Sequence, residues 1–352
     1  MRPVTGPNPG GTAGLSPGVA EGVGRTALLV AAARAIETHR PDALARDPFA
    51  EHFVRAAPVS ADWPVRPGQV PAGEADPLWG RLGRYFGLRT RVLDDHLLHA
   101  ARRGVRQVVL LGAGLDCRAF RLRWPPGCVV HEVDTPEMLA FKQAVLDQAG
   151  AVPTAERRTL PADVRLDWSE ALPHAGFDAC APTAWLAEGL LLYLPAAAER
   201  RLVATIDRLS AAGSSLAYEI KDGIESSRMR TSPVYTAARQ RTGIDLLGLF
   251  DSAPRPDTAG ELATRGWTVT VRTPYDFTAL HGRGPRPEPN DDALATNRWI
   301  FAVRHHGRVD SGDVPGTSEV ERSAPLGPRP PAPSHGGGSG TGRVPPHHGS
   351  GR

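Results

Sequence analysis

The sequence predicts an α/β fold: a doubly wound, mostly parallel sheet with a C-terminal antiparallel strand pair and an N-terminal helical cap. Three observations carry this. Short, largely apolar runs such as Val108–Leu111 and Val129–Val133 are too apolar for strands with a wet face, and read as strands buried on both sides. From residue 108 to 220 such runs alternate with helix-periodic segments, which argues a parallel sheet. The last two strands, WTVTVRT from Trp267 and RWIFAVRH from Arg298, instead alternate apolar with polar and read as antiparallel to each other, with a long loop between them.

Each element follows in order. Residues 1–24 and 306–352 are rich in proline and glycine with almost nothing to bury, and read as disordered. The domain then runs from 25 to 305. Arg25–Glu37 is alanine-rich and helix-periodic, with Pro41 stopping it, and a second helix begins at Asp47. Residues 58–77 are loop, and a long amphipathic pattern from Leu78 to Arg103 ends at Gly104, completing a cap over 25–104. After strand Val108–Leu111 come a glycine turn, a helix expected from about Asp116, strand Val129–Val133, and helix Pro136–Gln148. A strand-like segment near Arg158–Pro161 leads into Asp163. Strand Thr183–Ala187, helix Pro195–Ala211 and strand Ser215–Ile220 follow. Residues 222–257 mix helical character with turn residues and suit a lid over the carboxyl edge of the sheet; helix Thr258–Arg265 then returns the chain to it.

Composition narrows the function classes. Net charge is only +3, and much of the basic excess lies in the C-terminal tail, so no basic face for nucleic acid is expected. Three cysteines, Cys117, Cys128 and Cys180, show no CxxC spacing, and no paired histidine ligands accompany them, which supports neither a zinc site nor a disulfide framework. The first residues lack an apolar signal segment, and no apolar run approaches membrane-spanning length. A cytoplasmic protein acting on a small molecule is the expectation.

Gln107–Asp134 carries the chemistry. Gly112 and Gly114 let the backbone turn sharply and approach a ligand without a Cβ in the way. The helix after them would turn its free N–H groups toward that ligand. Asp134, at the carboxyl end of the next strand and 20 residues beyond Gly114, is placed to hydrogen-bond ribose hydroxyls, so an adenosine-containing cofactor is predicted. A dinucleotide fingerprint would want a third glycine where this chain has Cys117, and Asp116 would place a carboxylate close to a pyrophosphate. S-adenosylmethionine has no phosphate and carries a sulfonium and an ammonium, and suits this acidic loop better than NAD.

The segments GRTALLVAAARAIETHRP, DPFAEHFV, RTRVLDDHLL, VVLLGAGLDCRAFRLRWP, EVDTPEMLAFK and PTAWLAEGLLLYLP together resemble the leucine carboxyl methyltransferase superfamily, in particular its actinobacterial S-adenosylmethionine-dependent branch. The resemblance covers roughly Gly24 to His305 in colinear order. It implies a class I methyltransferase fold with S-adenosylmethionine as cofactor: Asp134 on the ribose, Asp163 and Val164 beside the adenine, Gly112 in the loop under the methionine moiety. It also implies Arg89 on the methionine carboxylate and Glu188 near its amino group. O-methylation of a carboxylate or hydroxyl on a small molecule is the expected reaction. The rivals are a non-catalytic methyltransferase-fold scaffold and an NAD-dependent oxidoreductase. The departures from the family lie in the tails and the lid, where substrate contacts are expected.

Each residue has a plainer reading. Asp134 could cap the helix at Pro136. Asp163 could be a solvated loop acid, and Arg89 one of several charges on an exposed helix face. Glu188 ends a buried strand, where an unpaired carboxylate is costly; a cofactor ammonium would resolve this, and so would a protein arginine. His96 and His99 read as surface or cap residues, and His131 as a satisfied core histidine. Tyr193, Trp185 and Phe120 read as packing. An ionised carboxylate acceptor needs no base, whereas a hydroxyl is helped by one; Asp222, Glu225 and Asp245 stand in the lid without one being singled out.

Overall fold

Among the described residues, seven strands form one sheet in the order β3-β2-β1-β4-β5-β7-β6. The computed structural model describes residues 22–222, 231–288 and 292–305. The cap comprises α1 (Gly22–Thr38), α2 (Ala50–Ala56) and α3 (Trp79–Arg102). The first half of the sheet follows: β1 (Gln107–Leu111), α4 (Arg118–Arg121), β2 (Val129–Asp134), α5 (Pro136–Gln148), β3 (Glu156–Pro161), α6 (Ala171–His174), β4 (Thr183–Ala187), α7 (Ala196–Arg208) and β5 (Ser215–Lys221). Lid helices α8 (Pro233–Thr242) and α9 (Leu246–Leu249) precede α10 (Thr258–Thr264), β6 (Trp267–Arg272), α11 (Pro274–His281) and β7 (Asn297–Arg304).

The predicted strand types hold. β1 is buried along its whole length and pairs in parallel with both β2 and β4. β2–β3 and β4–β5 are also parallel, whereas β7 runs antiparallel to β5 and β6. Wholly apolar strands can be flanked on both faces, and here they are. One core cluster packs Val108, Leu110 and Val130 under cap residues such as Leu28, Phe53 and Leu97; the other packs Val109, Leu111 and Trp185 against Leu202 and Ile206 of α7.

Three expectations about elements are corrected. The helix expected from Asp116 is a single turn: Asp116 Oδ1 already accepts the Arg118 N–H at 2.6 Å, and the chain is extended again from Leu122, ahead of Pro125 and Pro126. The segment between β6 and β7 contains α11, opened by a capping box of Thr273 and Asp276 with Pro274 in the first turn. The first helix begins at Gly22, three residues before the predicted start. The rest of the predicted tails, 1–21 and 306–352, lies outside the described residues. No helix among the described residues is long and apolar enough to cross a membrane.

β2 is fixed from inside. The fully buried Glu132 carboxylate pairs with Lys142 of α5 at 2.9 Å and with Arg157 of β3 at 2.8 Å, so three consecutive elements share one anion two residues before Asp134. One residue earlier, His131 is buried beside Phe177, but it is not the satisfied histidine expected: among the described residues neither ring nitrogen has a hydrogen-bond partner. Burial, helped by Arg158, pulls its pKa down to about 4. His96, of the two readings surface or cap, is a cap residue: it lies on α3, half-buried against Phe301.

The His131 shift has a signed consequence. The unfolded imidazole takes a proton near 6.5 and the folded one only near 4, so this group's contribution is intact above 6.5, is lost as pH falls, and is gone below 4. Urea unfolding at pH 7, 5 and 4 is expected to show the stability gap between the parent and His131→Leu narrowing by up to roughly 3 kcal/mol in the variant's favour. A pH-independent gap would mean that the fold leaves the pKa of His131 unshifted.

Candidate active site

A cavity of about 400 Å³ opens at the carboxyl ends of the strands, where the chain order reverses between β1 and β4. Open α/β sheets bind ligands at such a switch point. All seven predicted site residues line it: Arg89, Gly112, Gly114, Asp134, Asp163, Val164 and Glu188. α1 and α3 contribute Ala27 and Phe86 from the cap side, and the lid contributes Tyr235 and Leu246.

The glycine loop is built around Asp134. Gly112 and Gly114 have φ of +60° and +46°, in the left-handed region that disfavours a side chain. A Cβ on Gly112 would also stand 2.9 Å from Leu190 Cδ1. The Gly114 N–H donates to Asp134 Oδ2 at 2.6 Å, and the Thr135 N–H to Oδ1 at 2.7 Å. Burial pushes the Asp134 carboxyl up despite these two bonds. The cap of α5 is Thr135, not Asp134, so the carboxylate belongs to the loop. Its neighbours are satisfied internally: Ala113 N–H donates to Val133 O and Asp116 N–H to Ala113 O.

The charged residues form one buried network. Arg89 is not on a solvated face; it is 4% exposed, and its guanidinium pairs with Glu188 at 3.0 Å and Glu219 at 2.7 Å. Phe86 stacks beneath it at 4.5 Å. Glu188 is shared with Arg118 at 2.7 Å. Arg118 also meets Asp116, and with Arg121 it holds Asp94. Burial raises the Glu188 carboxyl, but Arg118 and Arg89 outweigh it and hold the group well below the usual carboxylate range. Asp163 sits apart at the margin, gripped by Arg165 at 2.5 Å, whose hydrogen bonds lower its pKa against a smaller burial effect. Val164 is half-buried beside it.

The model of the leucine carboxyl methyltransferase family matches residues 27–207. A protein of Streptomyces coelicolor named "Putative S-adenosyl-L-methionine-dependent methyltransferase" is 62% identical over 288 residues, 82% of this chain and 95% of its own. The chain belongs to the leucine carboxyl methyltransferase family. Proteins of the same name from Saccharopolyspora erythraea and Mycolicibacterium paratuberculosis are 46% and 44% identical, over 81% and 82% of this chain and 97% and 94% of theirs.

Sequence reasoning missed several residues that build the site of this methyltransferase. Arg118 lies in a stretch read as an ordinary helix start; its position beside Asp116 was the available signal. Glu219 was read as a strand residue, Lys221 and Asn297 fell just outside the predicted strands, and Tyr85 was read as part of an amphipathic helix, yet all four line the cavity. Tyr193 also lines it, packing on Phe250 at 5.5 Å, whereas Trp185 and Phe120 are core residues as expected. Of the lid acids, Asp222 pairs with Arg298 at 3.1 Å and Asp245 caps α9; neither lines the cavity, and Glu225 lies outside the described residues.

Gly112→Ala forces a side chain into the left-handed region against Leu190. It is expected to cost roughly 1–3 kcal/mol of stability and to weaken binding at the loop. Urea unfolding and ligand titration of the same preparation check both, and an unchanged protein would show that the loop tolerates a Cβ.

Proposed function

We infer that this S-adenosylmethionine-dependent methyltransferase seats its donor across β2, β1 and β4 and methylates an oxygen of a small molecule held under the lid. The observation that carries the reading is Asp134. An ionised carboxylate offers about four acceptor positions; Gly114 and Thr135 take two, which leaves two for the adjacent hydroxyls of a ribose. Asp163 and Val164, one strand further, suit the adenine edge, the acid accepting from an amino group and the backbone donating to a ring nitrogen.

The charge balance fits the same donor. Three guanidiniums, of Arg89, Arg118 and Arg121, face four carboxylates, of Asp94, Asp116, Glu188 and Glu219, leaving one net negative charge. S-adenosylmethionine carries two cationic centres and one carboxylate. Its amino-acid end, placed between Arg89 and Glu188, exchanges their mutual ion pair for one partner each. A pyrophosphate has less to gain, because the loop N–H groups it would need are already donated to Asp134, Val133 and Ala113.

Bound there, S-adenosylmethionine supplies an activated methyl group on sulfur. The chain's own task is then alignment and exclusion of water. Leu190, Tyr193 and Phe250 form an apolar wall, and Arg89 and Asp134 fix the donor at two points. Small-molecule access fits the cavity volume of about 400 Å³.

Isothermal calorimetry with S-adenosylmethionine, S-adenosylhomocysteine and NADH tests the reading. The two adenosyl compounds are expected to bind and NADH not to. Asp134→Ala removes charge-assisted hydrogen bonds worth about 1.5–3 kcal/mol, so affinity should fall on the order of tenfold to a hundredfold. Unchanged affinity in the folded variant would sink the ribose assignment, and binding of NADH alone would sink the donor assignment.

A further inference from the structure

Of the 41 basic residues in this chain 39 are arginine, and the two lysines are Lys142 and Lys221. Lys142 is paired with Glu132 inside the fold. Lys221 lines the cavity together with Arg34, Arg89 and Arg165. A guanidinium does not give up its proton in a protein, whereas an amine can. Among the described residues, Lys221 is therefore the cavity's only basic group able to pass between charged and neutral forms.

Its surroundings favour that passage. Lys221 ends β5 and is 3% exposed. Burial pulls its pKa down to about 7, with Arg298 acting in the same direction and Glu219, Asp292 and Asp222 opposing. The uncharged amine has two N–H bonds and one lone pair. Nζ donates to Ala293 O and, at 2.5 Å, to Asn297 Oδ1, which uses both bonds and leaves the lone pair. Asn297 is held in that orientation because its Nδ2 donates to Tyr85 Oη at 2.7 Å, and Tyr85 in turn donates to Glu219 Oε2 at 3.1 Å. The competing acids are occupied: Arg89 and Arg118 hold Glu188, Arg89 and Tyr85 hold Glu219, and Arg165 holds Asp163.

Position agrees. β5 lies three strands from β2, and neighbouring strands are about 4.8 Å apart, so Lys221 stands roughly 14 Å across the sheet from Asp134. A donor lying over β2, β1 and β4, with its amino-acid end between Arg89 and Glu188, leaves the part of the cavity over β5 for the acceptor. Lys221 Nζ lies 6.0 Å from the centre of the Tyr235 ring, and Val234, Phe86 and Leu294 line the same cavity.

Resting on the methyl-transfer reading above, we propose that Lys221 is the catalytic base for an acceptor hydroxyl, a phenol or alcohol on an apolar body, seated between the end of β5 and lid helix α8. As the hydroxyl oxygen bonds to the methyl carbon, its proton moves to Nζ, the carbon–sulfur bond breaks, and its electron pair leaves with neutral sulfur. The ammonium then returns the proton to water. An ionised carboxylate acceptor would need no such group.

The first test uses the full chain without a substrate. Trace acetic anhydride labels amines in their neutral form, and peptide mass spectrometry separates Lys221 from Lys142. The Lys221 labelling rate is expected to rise through a midpoint near 7; a midpoint above about 10, the ordinary amine value, or labelling only after denaturation, overturns the proposal. The second uses S-adenosylmethionine with 4-methylphenol and 4-methylbenzoate. Phenol methylation should rise with pH through about 7, fall on the order of 10²–10⁴-fold in Lys221→Met, and not return in Lys221→Arg, while S-adenosylhomocysteine affinity stays within about twofold. Methylation of the benzoate that Lys221→Arg restores would make Lys221 a fixed cation and overturn its role as base. Where neither probe turns over, the labelling midpoint decides. Failure of the parent chain to bind S-adenosylhomocysteine strikes the donor assignment instead and leaves the labelling result standing.

Discussion

Glu188 stands at the end of β4 between the guanidiniums of Arg89 and Arg118, and the carboxyl edge of the sheet is organised around that shared carboxylate. Arg89 comes from the cap helix and Arg118 from the turn after the glycine loop. Through Arg89 the same network reaches Glu219 on β5, and through Arg118 and Arg121 it reaches Asp94 on the cap. Burying any one of these ions alone would cost several kcal/mol. Each therefore depends on the others being in place, and the cap, the glycine loop and the β4–β5 edge cannot shift independently. A wall made this way presents a ligand with fixed charges that need no rearrangement of water.

The same constraint explains which parts of the molecule could be read from the sequence. Val108–Leu111 and Thr183–Ala187 are legible as buried strands because burial on both faces leaves no polar position to confuse the period. Asp134 is legible because its place depends only on local order, a glycine turn and then the next strand. The partners of Glu188 are not: Arg89 and Arg118 lie 99 and 70 residues away, and nothing local says which arginine of 39 will arrive. The one-turn α4 was overestimated for a related reason. Its periodicity suits a helix, but Asp116 has tied down the first N–H and the downstream prolines end the run.

Residues of alternating strands were legible as to face and not as to use. Glu219 and Lys221 fall on the cap side of β5 by simple alternation, but the cavity there is completed by residues of other elements, such as Leu82 and Phe86 of α3 and Val234 and Tyr235 of α8. Asn297 reads as a loop residue just ahead of the strand predicted from Arg298. Its amide in fact joins the lysine to Tyr85, and Trp299 donates to the same hydroxyl at 3.3 Å. An unbroken polar path thus runs from Lys221 on the lid side to Glu188 on the glycine-loop side, every link crossing between elements distant in the chain.

The position of β7 gives that path a history. It is the last strand among the described residues, yet it lies between β5 and β6, so that β6 has no neighbour in the sheet until residues 297–304 have emerged during synthesis. The strands bearing the glycine loop and Asp134, by contrast, can pair as soon as residue 134 is available. Nascent chains order from the N-terminal side as they lengthen. The two lobes of the cavity therefore mature at different times, and a ribosome stalled before residue 297 would carry a chain with one lobe framed and the other unable to close.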